Sequence, residues 1–292
     1  MTKVVQAGEF FVVGGPVQPD RPAYVERAAD AELVAALRER RLCYVLGAHG
    51  TGKSSLLARA ARALRADGEP VAVVDLASLE ARGEDADVER WTFAIAHRIV
   101  HELRLTVDLP AWWRERTALS RESRLADFFW DVVLTNTTSA VTIMFDEVER
   151  AIDLPFGREL LAAIETCHER RTREPDYSRL VFALAGVATR GQLMRRGTVR
   201  STAVLIEPTD FTADEAYVLA IGFGGEPAQT QALMDRVCVW TNGHPYLTQQ
   251  VARLVANKGG RLEDVERVVH EHVLVPAAVS YTHLTLPTIL LV

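Results

Sequence analysis

The chain contains little cysteine and no excess of basic residues. No internal apolar stretch reaches membrane-spanning length without including charged residues. Its 292 residues include 3 cysteines, Cys43, Cys167 and Cys238, which lie far apart in sequence. This spacing gives no disulfide framework and no metal site, and it favours buried thiols in a reducing compartment. The formal charge of -6 argues against a protein that coats nucleic acid, although a local basic patch stays possible.

Two further absences narrow the class of protein. The amino terminus lacks a basic and then apolar signal region, so we expect a cytoplasmic protein without a membrane partner. No Asn-Lys-x-Asp motif that reads guanine is present, which argues against a GTPase. With 48% hydrophobic and 25% charged residues, the composition predicts a globular chain of one large domain or two modest ones.

A complete phosphate-binding loop is the most informative feature present. Glycines let the backbone N–H groups of such a loop turn towards phosphates, its lysine reaches the β/γ oxygens, and its serine hydroxyl ligates Mg²⁺. The loop follows an apolar run of strand type and precedes a helical pattern, so the helix N-terminus would face the anion. The predicted nucleotide-binding residues are Gly47, Ala48, His49, Gly50, Thr51, Gly52, Lys53, Ser54 and Ser55.

A second motif follows about ninety residues later, where a buried-strand run ends in Asp146 and Glu147. This is the form of a Walker B segment. Asp146 would hold Mg²⁺ together with Ser54, and Glu147 would orient or deprotonate the attacking water, with Lys53 as the other catalytic residue. In the alternative interpretation, Asp146 caps the next turn and Glu147, Glu149 and Arg150 form a solvated face.

Strand and helix patterns alternate along the first two thirds of the chain, which predicts an α/β fold with a parallel sheet. Five strands are predicted, over 42–46, 71–76, 141–145, 180–184 and 203–206. We also expect a short strand at Phe10–Val13 and a first helix that begins near Tyr24. After Pro208 the pattern is purely helical, with helices near 212–221, 227–240, 245–257 and 262–272.

These patterns predict four segments. They are an N-terminal arm or linker over 1–22, a P-loop ATPase domain over 23–207, a helical lid domain over 208–273, and a tail over 274–292. The segment from Val273 onward has no Asp, Glu, Lys or Arg and no regular periodicity. The sequence of Ser280–Thr288 resembles translated adapter read-through, so we expect a non-native or truncated tail with further domains missing beyond it.

Four segments together resemble the bacterial AAA-like domain family of STAND P-loop ATPases, over roughly residues 8 to 257. They are 24–27, 145–147, 182–188 and 240–248. The resemblance implies a sheet in the order 5-1-4-3-2 and an ATPase module joined to sensor or effector domains. It also implies a switch between an ADP-bound resting form and an ATP-bound active form that self-associates.

The resemblance carries over further residues singly. Tyr24, Val25 and Arg27 occupy the place where such ATPases contact adenine. In the alternative interpretation this segment is a helix N-terminus with a solvated Glu26/Arg27 pair. Arg190, after Thr189, is a sensor near the γ-phosphate or an exposed charge. Pro245 packs near the adenine or ribose, or it only begins a helix after Gly243.

Some positions carry weaker expectations. The basic residues Arg195, Arg196 and Arg200 lie where related ATPases place an arginine finger, and a solvated loop is the favoured interpretation.

Taken together, the motifs and the resemblance predict a slow, Mg²⁺-dependent ATPase that acts as a nucleotide switch, with ATP/ADP and Mg²⁺ as its ligands. The alternatives are an AAA ATPase that acts on nucleic acid, and a nucleotide-binding scaffold without turnover.

Overall fold

The computed structural model of the protein describes residues 7–79, 88–149, 157–187 and 203–274. Contacts divide the chain into two compact units. The sheet unit comprises Arg27–Thr209, and the lid unit combines Met1–Glu26 with Asp210–Val292.

The helices and strands are numbered in chain order. The described α-helices are α1 (Ala7–Phe10), α2 (Ala28–Arg38), α3 (Lys53–Ala66), α4 (Val88–Glu102), α5 (Leu109–Glu115), α6 (Arg121–Phe128), α7 (Gly157–Arg170), α8 (Ala213–Ala216), α9 (Pro227–Thr241), α10 (Pro245–Asn257) and α11 (Leu262–Val269). The strands are β1 (Cys43–Leu46), β2 (Val71–Asp75), β3 (Val141–Asp146), β4 (Leu180–Gly186) and β5 (Val204–Ile206).

Shorter helical turns extend or join these elements. A π-helical turn over Phe129–Leu134 continues α6, and another over His270–Leu274 continues α11. Turns of 3₁₀ type cover Leu76–Ser78, Pro175–Arg179 and Tyr217–Phe223.

The strands of the sheet unit form one parallel sheet in the order β2-β3-β4-β1-β5. Read from the other edge, this is the predicted order 5-1-4-3-2, so the predicted fold class is confirmed. Every residue of β1, β3 and β4 is buried, as expected for strands with helices on both faces of the sheet.

Alternation along the strands divides the sheet unit into two apolar cores. Tyr44 and Leu46 of β1 pack in one core with residues of α4, α5, α6 and α7. Cys43 and Val45 pack in the other core with residues of α2 and α3. Successive side chains of a strand point to opposite faces, so the sheet lies between two helical layers.

The lid unit includes part of the chain that precedes the sheet unit. Phe11, Ala23 and Val25 are buried in the same apolar cluster as residues of α9, α10 and α11. The buried side chain of Gln249 in α10 donates to the Ala23 carbonyl at 2.9 Å and accepts from the Val12 N–H at 3.2 Å. Both ends of the described chain therefore contribute to one core.

Two predicted elements in the N-terminal region were wrong. The segment Phe10–Val13 is not a strand, because the backbone up to Phe10 is helical. The rings of Phe10 and Phe11 pack against Gly222, in space that a side chain at that position would fill. The first helix of the sheet unit begins at Ala28, not near Tyr24. Its start is fixed because the Arg27 N–H donates to the Asp30 carboxylate at 2.8 Å and the Asp30 N–H donates to the Arg27 carbonyl at 3.0 Å.

The described residues contain no membrane-spanning helix and no cluster of candidate metal ligands. No described helix combines the length and apolarity needed to cross a membrane. No group of three or more His, Cys, Asp or Glu side chains with the arrangement of a metal site occurs within 7–79, 88–149, 157–187 and 203–274.

Candidate functional site

The phosphate-binding loop joins the end of β1 to the start of α3 in the sheet unit. Gly50 and Gly52 have φ values of 77° and 85°, in the left-handed region that favours glycine. A Cβ on Gly47 would lie 3.0 Å from the Thr51 hydroxyl oxygen, so this position is also close-packed. Ala48, His49 and Gly50 are exposed, whereas Thr51 and Lys53 are buried.

The loop ends at the N-terminus of a 14-residue helix. Lys53 is the first residue of α3, and Ser54 and Ser55 lie in its first turn. The first N–H groups of a helix have no partner within the helix, and the helix dipole favours negative charge there. This local geometry fits a phosphate group.

Lys53 carries a buried ammonium group. Its Nζ donates to the carbonyls of Gly47 at 3.0 Å and Ala48 at 2.8 Å, and the residue is 7% exposed. Burial lowers the pKa of Lys53, and the carboxylates of Glu149, Asp146 and Glu147 raise it. The ammonium group of Lys53 supplies a positive charge in the phosphate-binding loop that attracts an anion.

Asp146 and Ser54 meet at the carboxyl end of β3. The Asp146 carboxylate accepts the Glu147 N–H at 3.0 Å, and the Ser54 side chain lies next to it. Burial raises the pKa of Asp146, whereas Ser54 and the Glu147 N–H lower it. Both side chains present oxygen ligands of the kind that Mg²⁺ binds, so the residues fit the predicted metal site.

Glu147 adopts an unusual backbone conformation next to this pair. Its φ is 57°, a left-handed value that non-glycine residues rarely adopt. Burial, followed by the charge of Glu149, raises the pKa of Glu147 to about 7. Asp146 raises this pKa further and Lys53 lowers it. A carboxyl group with such a pKa is suited to accept a proton near neutral pH.

Glu149 is one of the three residues that would form a solvated face in the alternative interpretation of this segment, together with Glu147 and Arg150. Its Oε2 accepts the Val187 N–H at 2.8 Å, just after β4. A Cβ on Gly186 would lie 2.5 Å from this oxygen, so the glycine makes room for the carboxylate. The sequence shows an acidic residue two positions after Glu147. Its contact with the residue after β4 could not be predicted, because that contact depends on the strand order.

Arg27 lies against the phosphate-binding loop. Its Nη1 donates to the carbonyls of Thr51 at 2.8 Å and Thr209 at 2.9 Å, and the side chain is 6% exposed. A Cβ on Gly52 would lie 3.0 Å from Nη2. The guanidinium therefore supports the loop from its backbone side, and the predicted contact with adenine stays a prediction.

The remaining predicted residues lie in the lid unit or outside the described residues. Tyr24, Val25 and Pro245 are part of the lid unit, where Val25 is buried and Pro245 is the buried first residue of α10. Arg190, Thr189, Arg195, Arg196 and Arg200 lie outside the described residues, as does the tail beyond Leu274. The structure thus brings together Lys53, Ser54, Asp146 and Glu147.

The sequence model of a family described as "AAA-like domain" matches residues 12–273. This chain belongs to the AAA-like domain family. The match covers the described parts of both units except for a few residues at each end, so the predicted family is confirmed.

Other proteins resemble this AAA-like domain. A WD repeat-containing protein of Synechocystis sp. is 35% identical over 252 residues, which are 84% of this chain and 21% of that protein. The chain thus spans about a fifth of the length of this relative.

Two solved structures share the fold of the AAA-like domain. A Walker-type ATPase of Pyrococcus abyssi aligns with a TM-score of 0.62 at 16% identity, over 92% of this chain and 77% of that chain. The ORC2 protein of Aeropyrum pernix aligns with a TM-score of 0.57 at 14% identity, over 92% and 72% of the two chains. The chain therefore has the fold of a P-loop ATPase.

Proposed function

We propose that this AAA-like domain is a Mg²⁺-dependent ATP-binding and hydrolysing switch module of a cytoplasmic STAND-type signalling ATPase. One observation carries the proposal. Ser54 at the start of α3 lies next to Asp146 at the end of β3, and Lys53 and Glu147 lie beside this pair. This is the set of groups that phosphoryl transfer to water requires.

The residues have separate roles in this proposal. Lys53 and the loop N–H groups bind the phosphates, and Ser54 with Asp146 would hold Mg²⁺. When bound, the ion neutralises charge that develops on the β- and γ-phosphate oxygens. Glu147 orients a water molecule and accepts its proton. The buried position of Lys53 and Asp146 strengthens the electrostatic interactions of the site.

The switch part of the proposal rests on the resemblance of the sequence to STAND ATPases. In a switch, the signal is the population of the ATP-bound form, and hydrolysis resets it, so a low turnover rate is expected. We propose that the ATP-bound form self-associates and acts through sensor or effector domains. The WD repeats named in the Synechocystis relative are a candidate for such a domain.

Nucleotide binding and hydrolysis by the full chain test the proposal, with Lys53→Ala and Glu147→Gln as variants. We expect the wild type to bind a fluorescent ATP analogue with Mg²⁺ and to hydrolyse ATP. Lys53→Ala is expected to weaken binding at least tenfold. Glu147→Gln is expected to bind normally and to lose about 10²-fold or more in hydrolysis rate, the range for removal of a general base. A matched control is Glu115→Gln, because the Glu115 side chain is 74% exposed on α5.

Other outcomes identify the alternatives. Binding by the wild type without turnover would identify a nucleotide-binding scaffold. Salt-dependent DNA binding that is coupled to ATP would identify an ATPase that acts on nucleic acid. Equal nucleotide affinity of wild type and Lys53→Ala, with no turnover in either, would contradict the proposal.

A further inference from the structure

Arg27 joins the phosphate-binding loop to the segment that follows β5. Its Nη1 donates to the Thr51 carbonyl at 2.8 Å and to the Thr209 carbonyl at 2.9 Å. The two carbonyls belong to segments that follow neighbouring strands, because β1 pairs with β5 and the loop follows β1. One arginine, which is only 6% exposed, therefore connects backbone groups that lie 24 and 182 residues away in sequence.

The position of Arg27 is itself fixed by two helices. The Arg27 N–H donates to Oδ2 of Asp30, in the first turn of α2, at 2.8 Å. The other oxygen of this buried carboxylate lies 3.8 Å from Nε of Arg59 in α3. Arg27 is thus anchored, through Asp30, to the helix that begins at the phosphate-binding loop.

The Thr51 carbonyl matters because of the N–H group in the same peptide unit. A trans peptide is planar, so its C=O and N–H groups point in opposite directions. The guanidinium group binds the Thr51 carbonyl, so the Gly52 N–H points away from Arg27. Gly52 has a φ of 85°, and glycine permits several other backbone conformations. The hydrogen bond therefore selects one orientation of a peptide unit that glycine leaves free to turn.

The loop packs closely around this contact. A Cβ at position 52 would lie 3.0 Å from Nη2 of Arg27, so Gly52 makes room for the guanidinium group. Near the start of the loop, a Cβ on Gly47 would lie 3.9 Å from Cδ of Pro208, in the segment that follows β5. Arg27 and the segment after β5 thus support the loop backbone near both of its ends.

We propose that Arg27 is a positioning residue for nucleotide binding, which holds the Thr51–Gly52 peptide unit with its N–H directed to the phosphate chain. This inference rests on the proposed function, because it assigns Arg27 a role in the binding step of that function. Arg27 acts through the loop backbone and does not contact the phosphates. Loop N–H groups that are already oriented lose less free energy when they bind an anion, so Arg27 raises the affinity for the phosphate chain. This role differs from the contact with adenine that the resemblance implies.

Two variants of Arg27 and one control test the proposal in the full chain. Arg27→Met removes the guanidinium group and keeps an unbranched apolar side chain. Arg27→Lys keeps a positive charge on a shorter side chain without the planar fork of donors. Arg124→Met is the matched control, because Arg124 is 3% exposed and donates to the carbonyls of Arg116, Thr117 and Leu119. Its helix α6 packs in the core on the sheet face opposite to α2 and α3.

The dissociation constants of ATP, GTP and inorganic tripolyphosphate are measured with Mg²⁺ by isothermal titration calorimetry. For Arg27→Met we expect all three constants to rise about tenfold or more, and by similar factors, because the three ligands share the phosphate chain. Arg27→Lys is expected to weaken binding of all three by about threefold or more, because its ammonium group does not reproduce the arginine geometry. Arg124→Met is expected to lower the thermal unfolding midpoint and to keep the three constants within about threefold of wild type.

Three results would overturn the proposal. A merely structural role would make Arg27→Met resemble Arg124→Met, with lower stability and unchanged affinities. A loss of affinity confined to ATP would indicate contact with adenine instead. Wild-type affinities in Arg27→Lys, with weak binding in Arg27→Met, would indicate simple attraction by charge. If Arg27→Met does not fold, Arg27→Lys decides, because only a positioning role lowers its affinity for all three ligands.

The same titrations separate this inference from the proposed function. A wild type that binds neither ATP nor tripolyphosphate overturns the proposed function and, with it, the role of Arg27. A wild type that binds both, with unaltered affinities in Arg27→Met, overturns only the assignment of Arg27. Binding by the wild type without hydrolysis overturns the proposed turnover, and the affinities of the variants still decide the role of Arg27.

Discussion

Lys53 and Asp146 are charged residues that the sheet unit buries, at 7% and 8% exposure. Burial of an ion is unfavourable unless nearby charges and hydrogen bonds compensate. Burial raises the pKa of Asp146 and lowers that of Lys53, and the charge of each residue offsets part of the effect of burial on the other. The same charges are those that would bind the phosphates and Mg²⁺, so stability and function depend on one cluster.

Glu147 predicts a pH dependence of the stability of the protein without nucleotide. Its pKa is about 7 in the folded chain against an ordinary value of 4.5, so the folded state binds more protons between these values. The contribution of Glu147 to the unfolding free energy is therefore fully present below about pH 4.5 and is lost as the pH rises through about 7.

Denaturant unfolding of wild type and Glu147→Gln over this pH range measures the contribution of Glu147. We expect the stability of the wild type relative to the variant to fall as the pH rises, because glutamine does not titrate. A difference between the two proteins that is constant with pH would contradict the prediction.

The sequence predicts those residues of the site whose contacts are local in the chain. Lys53 and Ser54 belong to a loop whose geometry is set within eight consecutive residues, so their arrangement was predictable from the motif. The contacts of Glu149 with Val187 and of Arg27 with Thr209 join positions 38 and 182 residues apart. They follow from the strand order and from how the chain leaves the sheet, and no pattern along the sequence reports them.

At the scale of elements, the turn between α9 and α10 shows which glycine the fold requires. Gly243 has a φ of 74°, and a Cβ there would lie 2.0 Å from the Phe211 carbonyl oxygen. The Phe211 N–H in turn donates to the Gly243 carbonyl at 2.9 Å. His244 and Pro245 then begin α10, so the predicted helix punctuation at this turn has a definite packing reason.

Gly243→Ala is expected to destabilise the protein by more than about 2 kcal/mol, because it adds a clash with backbone to an unfavourable φ. Gly225→Ala is the matched control, since its φ is 109° and a Cβ there would have open space. That variant is expected to lose only about 1 kcal/mol. Thermal unfolding of both variants measures the difference, and equal losses would contradict the packing argument.

Elements with strong periodicity were predicted well, and those shaped by tertiary contacts were not. The helix predicted over 245–257 agrees with the observed Pro245–Asn257, which begins with proline and has a regular apolar face. The helix predicted over 212–221 is instead a short α8 followed by the 3₁₀ turn Tyr217–Phe223. Packing of Phe10 and Phe11 on Gly222 in that turn is a contact that the local pattern does not contain.

At the scale of the whole molecule, the lid unit is built from two separate parts of the chain. Residues before Arg27 and residues after Thr209 share one apolar cluster. The sequence suggested an arm or linker for the first part because its proline-rich composition resembles a connecting segment. Its burial against α10 depends on residues more than two hundred positions later, as with Gln249 and Ala23.

Gln249→Leu tests whether the N-terminal segment stabilises the lid unit. The substitution leaves the Ala23 carbonyl and the Val12 N–H without their side-chain partner, so we expect a loss on the order of 2 kcal/mol. Gln231→Leu is the control, because, among the described residues, the Gln231 amide donates only to the Asp235 carboxylate, one turn further along α9. Denaturant unfolding compares the two, and an equal effect of both substitutions would contradict the role of Gln249.

The proposed switch depends on chemistry at the phosphate-binding loop, and a single-turnover reaction of the full chain with radiolabelled ATP observes that chemistry directly. Wild type, Glu147→Gln and the control Glu115→Gln are each mixed with substoichiometric ATP, with Mg²⁺ or with a chelator. We predict Mg²⁺-dependent conversion to ADP by wild type and control, and a bound but unhydrolysed ATP in Glu147→Gln. Conversion at equal rates in Glu147→Gln and wild type, or no conversion by any of them, would contradict the proposed ATPase.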